Sequence, residues 1–150
     1  KRISLSYPLV VTFENNPLTT GTGRAVLKYV KKHSLVKRAA VMGKYLLKKL
    51  NNLRDIDIVG DVRGLGLMTA VEFVENKKTR KPFPRDKHLA ETIVQKAMKK
   101  GLNLYYALGF AENGRGDAIM IAPPFIVTKK EIDEIIRIFK ETILEVKRNL

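Results

Sequence analysis

The chain has 150 residues, enough for one folded domain with a buried core, and its 45% hydrophobic and 29% charged residues argue against intrinsic disorder. Lys and Arg number 29 against 15 Asp and Glu, for a formal net charge of +14. Cysteine is absent and His33 and His88 are the only histidines, which excludes disulfides, thiolate ligands, a cysteine nucleophile and a multi-histidine metal centre.

The opening KRISLSYPLVV is basic and then apolar, but Ser6 and Pro8 interrupt it and no small-residue cleavage site follows, so it does not read as a signal peptide. No apolar run approaches the ~18 residues that a membrane span requires. The expectation is a cytoplasmic protein. Residues 1–16 read as loop and extended chain, and Pro17 then suits the first turn of a helix reaching about Lys32. Gly21 and Gly23 interrupt that helix, which suggests that another backbone packs close there.

Ser34 reads as the N-cap of a second helix, in which Leu35, Ala39, Met42, Leu46 and Leu50 form one apolar stripe that ends near Asn51-Asn52. From Ile56 the pattern becomes strand-like. Ile56, Ile58 and Val62 lead to Arg63-Gly64-Leu65-Gly66 and then to a second run ending at Val74, with the imperfect alternation of a strand covered on both faces. The glycines predict a bulge or a close backbone approach in this pair.

Residues 75–85 read as a polar, proline-containing loop, and Asp86 as the cap of a third helix carrying Leu89, Ile93 and Ala97. Gly101 stands where a left-handed helix stop belongs. Leu102 to Ala107 and Ala118 to Ala122 read as strands around a glycine-rich loop, and Thr128 with Glu131 forms a capping box for a long last helix. That helix carries Ile132, Ile135, Phe139, Ile143 and Val146 on one face. Together these elements predict an α+β, two-layer domain. Its three- to four-stranded, mostly antiparallel sheet is flanked by helices and preceded by a long N-terminal helix.

Residues 1–55 hold 12 basic and 2 acidic side chains, against 17 and 13 in the remainder. Such a patch attracts nucleic acid or an acidic protein. The lysines at 28, 31, 32, 44, 48 and 49, however, sit between apolar helical positions without interleaved aromatics, and a solvated helix face is the better account. A basic α+β binding module remains the alternative reading.

Neither Gly21-x-Gly23 nor Gly64-x-Gly66 matches a phosphate loop or the dinucleotide fingerprint, whose third glycine would stand at Thr69. His33 and His88 each lack an evident partner. The carboxylates Glu131, Asp133, Glu134, Glu141 and Glu145 are expected to offset Lys129, Lys130, Lys140 and Lys147 on the polar face of the last helix. Arg115-Gly116-Asp117 reads as a turn before a strand. The residues alone outline no self-contained active site.

The run Thr12-Phe13-Glu14-Asn15-Asn16-Pro17-Leu18 is followed by Arg38-Ala39-Ala40 and Gly43, and then by Asp61-Val62-Arg63-Gly64-Leu65-Gly66-Leu67-Met68 with Glu72. Ile121-Ala122-Pro123-Pro124-Phe125-Ile126 then precedes Thr128, Glu131, Ile132 and Asp133. In order and spacing these resemble the C-terminal third of class III aminotransferases, nearest the omega-amino-acid and amine:pyruvate branch. The resemblance implies a fold type I enzyme that uses pyridoxal 5'-phosphate to move an amino group from an amine or amino acid to a 2-oxo acid. Residues 1–16 would belong to the family's large domain and residues 17–150 to its small C-terminal domain with the linking helix. The family's Schiff-base lysine, the aspartate on the pyridine nitrogen and the stacking aromatic all lie in a part of the family chain that this sequence does not match. The chain alone is therefore expected to hold no cofactor and to be inactive, with a second copy or a separate large-domain chain as its partner across an apolar surface.

One functional residue carries over from the resemblance, and two further positions bear on the substrate. Thr12 matches the threonine that reaches the cofactor phosphate of the neighbouring subunit, although Asn15 stands where the family usually has glycine. Met120 occupies the place where many members bind a substrate carboxylate with arginine, and methionine offers no bidentate fork. Arg115 stands where a positive charge near the substrate would fit that branch, and a structural role in the turn fits equally. No residue is assigned a catalytic role, and no metal is expected.

Overall fold

The structure is a computed structural model and describes residues 16–150. The chain divides into two compact units, residues 1–36 and 37–150. In the first, helix α1 spans Pro17–Lys32. The Asn16 side chain accepts the Leu18 backbone N–H at 2.8 Å, and Pro17 fills a first-turn position where its missing N–H costs nothing. None of the residues of α1 is buried, and Leu18, Val26, Leu27 and Tyr29 are all more than half exposed. A Cβ added at Gly21 or Gly23 would meet nothing within 4 Å. The close backbone approach expected at these glycines is thus absent among the described residues. Ser34 also departs from expectation: its φ of 50° is left-handed, not the extended conformation of a capping serine.

Helix α2 spans Leu35–Asn51, and its stripe behaves as its spacing requires: Met42, Leu46 and Leu50 are buried in the core and Ala39 packs against it. A short 3-10 turn over Asn52–Asp55 carries the chain into strand β1, Val59–Leu65, which pairs with β2, Met68–Phe73. Gly66 (φ 58°) supplies the positive φ at the first central position of the two-residue turn between them. A register shift between Val59 and Asp61 puts an irregularity at Gly60, and the expected close backbone approach falls at Gly64, where a Cβ would lie 2.6 Å from the Met68 carbonyl oxygen. Helix α3 (Leu89–Lys99), strand β3 (Tyr105–Leu108), strand β4 (Asp117–Ile121) and helix α4 (Lys129–Lys147) follow.

The four strands run in the order β1-β2-β4-β3, and every neighbouring pair is antiparallel. Alternation along each strand gives the sheet two unlike faces. Val62, Val71 and Ile119 lie in one cross-strand row and are buried in one core with Leu46, Leu50, Ile93, Ile132, Phe139 and Ile143 from the helices. Arg63, Ala70, Met120 and Tyr105 form the opposite row, and none of them is buried. Among the described residues of the second unit, the strands are therefore covered on one face, not on both.

Two helix termini show how tertiary contacts complete local signals. In α4 the capping box forms as expected: the Glu131 backbone N–H donates to Thr128 Oγ1 at 3.2 Å, and the Thr128 N–H to Glu131 Oε2 at 2.7 Å. In α3 the sequence cue fails. Asp86 lies in a 3-10 turn, and His88, at φ 45°, directly precedes the helix without a side-chain cap. The carboxylate of Asp117, at the start of β4, instead accepts the Ala90 N–H at 3.2 Å.

Gly43 of α2 lies against the β1–β2 turn, and a Cβ there would fall 2.0 Å from the Gly66 carbonyl oxygen. Gly43→Ala is expected to destabilise the fold by more than about 3 kcal/mol, because backbone must shift to admit the methyl. Gly21→Ala, on open α1, is expected to be stabilising or neutral within about 1 kcal/mol. Thermal unfolding of the two variants side by side checks the contrast.

Candidate functional site

The open sheet face carries the residues with chemical potential. At its β3–β4 side lies a cleft of about 380 Å³ lined by Leu102, Leu104, Tyr105, Met120, Pro123, Pro124 and Ile135, with Asn103 and no charged side chain. Met120 reaches it because β4 points alternate residues outward, and Tyr105 is its direct cross-strand neighbour. Pro123-Pro124 ends the strand, since proline cannot continue the ladder. The segment after the prolines is held by a residue whose role the sequence did not reveal. Arg38 of α2 donates from Nε to the Phe125 carbonyl at 2.8 Å and from Nη2 to those of Ile126 and Val127 at 3.0 and 2.8 Å. Only its juxtaposition across 87 to 89 residues of sequence identifies it.

Arg115 lies elsewhere. It closes the loop before β4, its carbonyl accepting the Ala111 N–H at 2.8 Å, and it lines a different cleft, of about 450 Å³, with Arg80, Lys81 and Glu112. At about 3.3 Å per residue, strand β4 holds Arg115 and Met120 at opposite ends of one edge. The structure thus does not bring these two sequence candidates together. Thr12, the third, lies outside the described residues.

Charged groups on the open face are strongly paired. Arg63 donates to Asp61 at 2.9 Å and to Glu72 at 2.6 Å, while Arg54 donates to Asp61 at 2.7 Å and to the Val62 carbonyl at 2.6 Å. Burial pushes the Asp61 carboxyl up, but the hydrogen bonds from Arg63 and Arg54 outweigh it and hold the group below the usual range. The last-helix carboxylates pair mainly across elements, not with the lysines of their own helix. Glu145 binds Lys100, which caps the end of α3, and Lys96 within it, and the two hold it down at about 2. Asp133 takes Lys49 and Tyr45 of α2. Within α4, Arg137, not a lysine, bridges Glu134 and Glu141. His88 lies 3.4 Å from Glu91, which Arg85 also contacts, and His33 packs on the Tyr29 ring.

The residues described do not make a site for an imine-forming cofactor. Such chemistry needs an amine held deprotonated, normally by burial. No described lysine is buried, and the half-exposed Lys49 is driven further toward its charged form by Asp133 and then Tyr45. Among the described residues, no group of His, Asp and Glu is able to hold a metal, and no helix is long and apolar enough to cross a membrane.

Residues 5–143 match the family model described as aminotransferase class-III. The chain is 40% identical over 140 residues to the uncharacterized aminotransferase YodT of Bacillus subtilis, covering 93% of this chain and 32% of that protein. It is 34% identical over 135 residues to human mitochondrial alanine–glyoxylate aminotransferase 2, covering 89% and 25%. Among solved structures, a Bacillus anthracis aminotransferase superposes with a TM-score of 0.82 at 28% identity, covering 93% of this chain and 30% of that one. A transaminase from the marine bacterium Virgibacillus superposes at 0.84 and 27%, covering 97% and 32%. The chain therefore spans about a third or less of the length of these relatives.

Asp117 is only 2% exposed, and its burial raises the carboxyl above its ordinary value against the pull of the Ala90 N–H. The stability tied to its protonated form is complete below the ordinary Asp value of about 3.9 and is lost as pH rises through the raised one. Asp117→Asn keeps an oxygen for Ala90 and cannot ionise. Its unfolding free energy is expected to match the parent at the acid end and to exceed it above that window. Asp117→Ala should lose about 1–3 kcal/mol by orphaning the N–H. Urea unfolding across a pH series measures both.

Proposed function

Because this chain belongs to the class III aminotransferases, whose members depend on pyridoxal phosphate, we propose that it is the substrate-facing small-domain part of an enzyme moving amino groups from an amine or amino acid to a 2-oxo acid. In this reading residues 17–150 form the small domain with its linking helix, and residues 1–16 belong to the large domain. The chain acts in the cytoplasm within a homo-oligomer or beside a separate large-domain chain. Bound pyridoxal phosphate supplies an electron sink for the substrate carbon, and that chemistry resides outside the residues described.

What this chain contributes is the wall of the substrate site. The observation that carries this reading is the uncharged cleft at the β3–β4 edge of the sheet, where Met120 and Tyr105 meet the two prolines and Ile135 of α4. Met120, Tyr105 and the two prolines exclude water and accept an apolar substrate end, and they offer no fork to a carboxylate. Arg115, in a different cleft beyond the other end of β4, takes the structural role in the loop before that strand. Thr12 donates its hydroxyl to the cofactor phosphate of the neighbouring subunit. Exposed Leu65 and Met68 on the open face, with Leu18 and Leu27 on α1, are the surfaces expected to meet the rest of the enzyme.

The test is a chimaera in which residues 5–143 replace the matched third of the Bacillus subtilis relative. It should bind the cofactor and transfer amino groups. A folded chimaera that binds cofactor yet transfers none overturns the reading. Within it, Met120→Arg is expected to shift kcat/KM toward substrates with a second carboxylate by about tenfold, worth about 1.4 kcal/mol. The 150-residue chain alone should incorporate no pyridoxal phosphate, read by absorbance and by mass after borohydride treatment.

A further inference from the structure

A second concavity on the open side of the sheet, of about 440 Å³, is lined by Arg54, Asp61, Arg63, Glu72, Lys77 and Arg80 together with Gly60 and Val74. In the lining four cations meet two carboxylates, an excess of two positive charges, and a further carboxylate, Asp57 within electrostatic reach of Lys77, is paired with Lys147. Both carboxylates are paired: Asp61 accepts from Arg54 and Arg63, and Glu72 accepts from Arg63. Lys77 spends one donor on the Arg54 carbonyl. Among the described residues the Arg80 guanidinium has no hydrogen-bond or ion-pair partner, so all five of its N–H donors remain available.

The turn that carries Lys77 and Arg80 is rigid. Asn76 Oδ1 accepts the backbone N–H groups of Lys78 and Thr79 at 2.9 and 3.1 Å, and Asn76 pairs with Lys81 in an isolated bridge. Arg80 itself stands at φ 56°, a left-handed conformation that a glycine would adopt freely and a long side chain adopts at a cost. A backbone cost is thus sustained at the residue whose charge is unused within the chain.

We propose that this cleft is a binding site for a phosphate monoester, its dianionic phosphoryl group held by Arg80 and Lys77 over the Arg54–Arg63 pair. The excess of two positive charges matches a phosphoryl dianion, and a planar guanidinium fork suits its oxygens. The size falls in the range of small-ligand sites. A nucleic-acid strand fits less well, because its backbone would have to run across Asp61 and Glu72. The proposal stands on residues separate from the Met120 cleft and does not depend on the aminotransferase reading.

The 150-residue chain is titrated with glycerol phosphate and with inorganic phosphate at constant ionic strength, by calorimetry and by thermal unfolding. Saturable one-site binding is expected. Arg80→Gly should raise the melting temperature without ligand and weaken both phosphates by about tenfold or more, and Lys77→Ala should weaken them similarly. The double variant Lys99→Ala with Lys140→Ala, which removes two charges elsewhere, should bind within about twofold of the parent. Non-saturable binding, an equal loss in the double variant, or unchanged affinity in Arg80→Gly overturns the proposal. So does duplex DNA binding that Arg80→Gly abolishes and glycerol phosphate fails to compete.

Discussion

Helix α2 meets the tip of the β1–β2 hairpin backbone to backbone, with Gly43 against Gly66, and the arrangement of the second unit depends on that contact. A Cβ at Gly43 would hold the two apart, whereas one at Gly66 would find ordinary contact distances, and it is the positive φ of the turn that calls for glycine there. Once the hairpin is seated against α2, the pleat decides the rest. Val62 and Val71 join the core with Leu46 and Leu50, and Arg63, Ala70 and Glu72 are left facing out. Continuing the same register through β4 and β3 places Met120 and Tyr105 on the outer side with them.

Charge is organised to hold the helices around this core. Glu145 joins α4 to α3 through Lys96 and Lys100, and Asp133 joins α4 to α2 through Lys49 and Tyr45. Exposed pairs of this kind contribute little each, and the buried core supplies the stability. Their value is in geometry, since they connect elements far apart in sequence. Arg38 does the same with neutral acceptors, fixing the three carbonyls that follow the Pro-Pro segment beside the Met120 cleft.

One sheet face is sealed and the other bare, and this asymmetry links fold to function. The chain spans about a third of the length of its aminotransferase relatives, and a domain of this kind must both fold and present a surface. The sealed face serves the first need. Two chemically opposite concavities border the open face: one uncharged at the β3–β4 edge around Met120 and one with excess positive charge around Arg80. They lie on one twisted sheet about two strand spacings apart, roughly 10 Å from the Arg63 row position to Met120.

The sequence by itself determined the elements and the family. Apolar spacing placed α2, α3 and α4, Thr128 with Glu131 started α4, and the VRGLGLM and APPF blocks pointed to class III aminotransferases. These signals are local, carried by residues within a turn or two of one another. Only the tertiary structure decided that Asp117 rather than Asp86 serves the start of α3, that Arg38 clamps a loop, and that Arg115 and Met120 occupy different clefts. It also decided that the strands are covered on one face, because Leu, Val and Met at alternate positions look alike whether a helix or open space lies beyond them. Such facts depend on distance in space between residues distant along the chain, and hydrophobic periodicity in a single sequence carries no information about that distance.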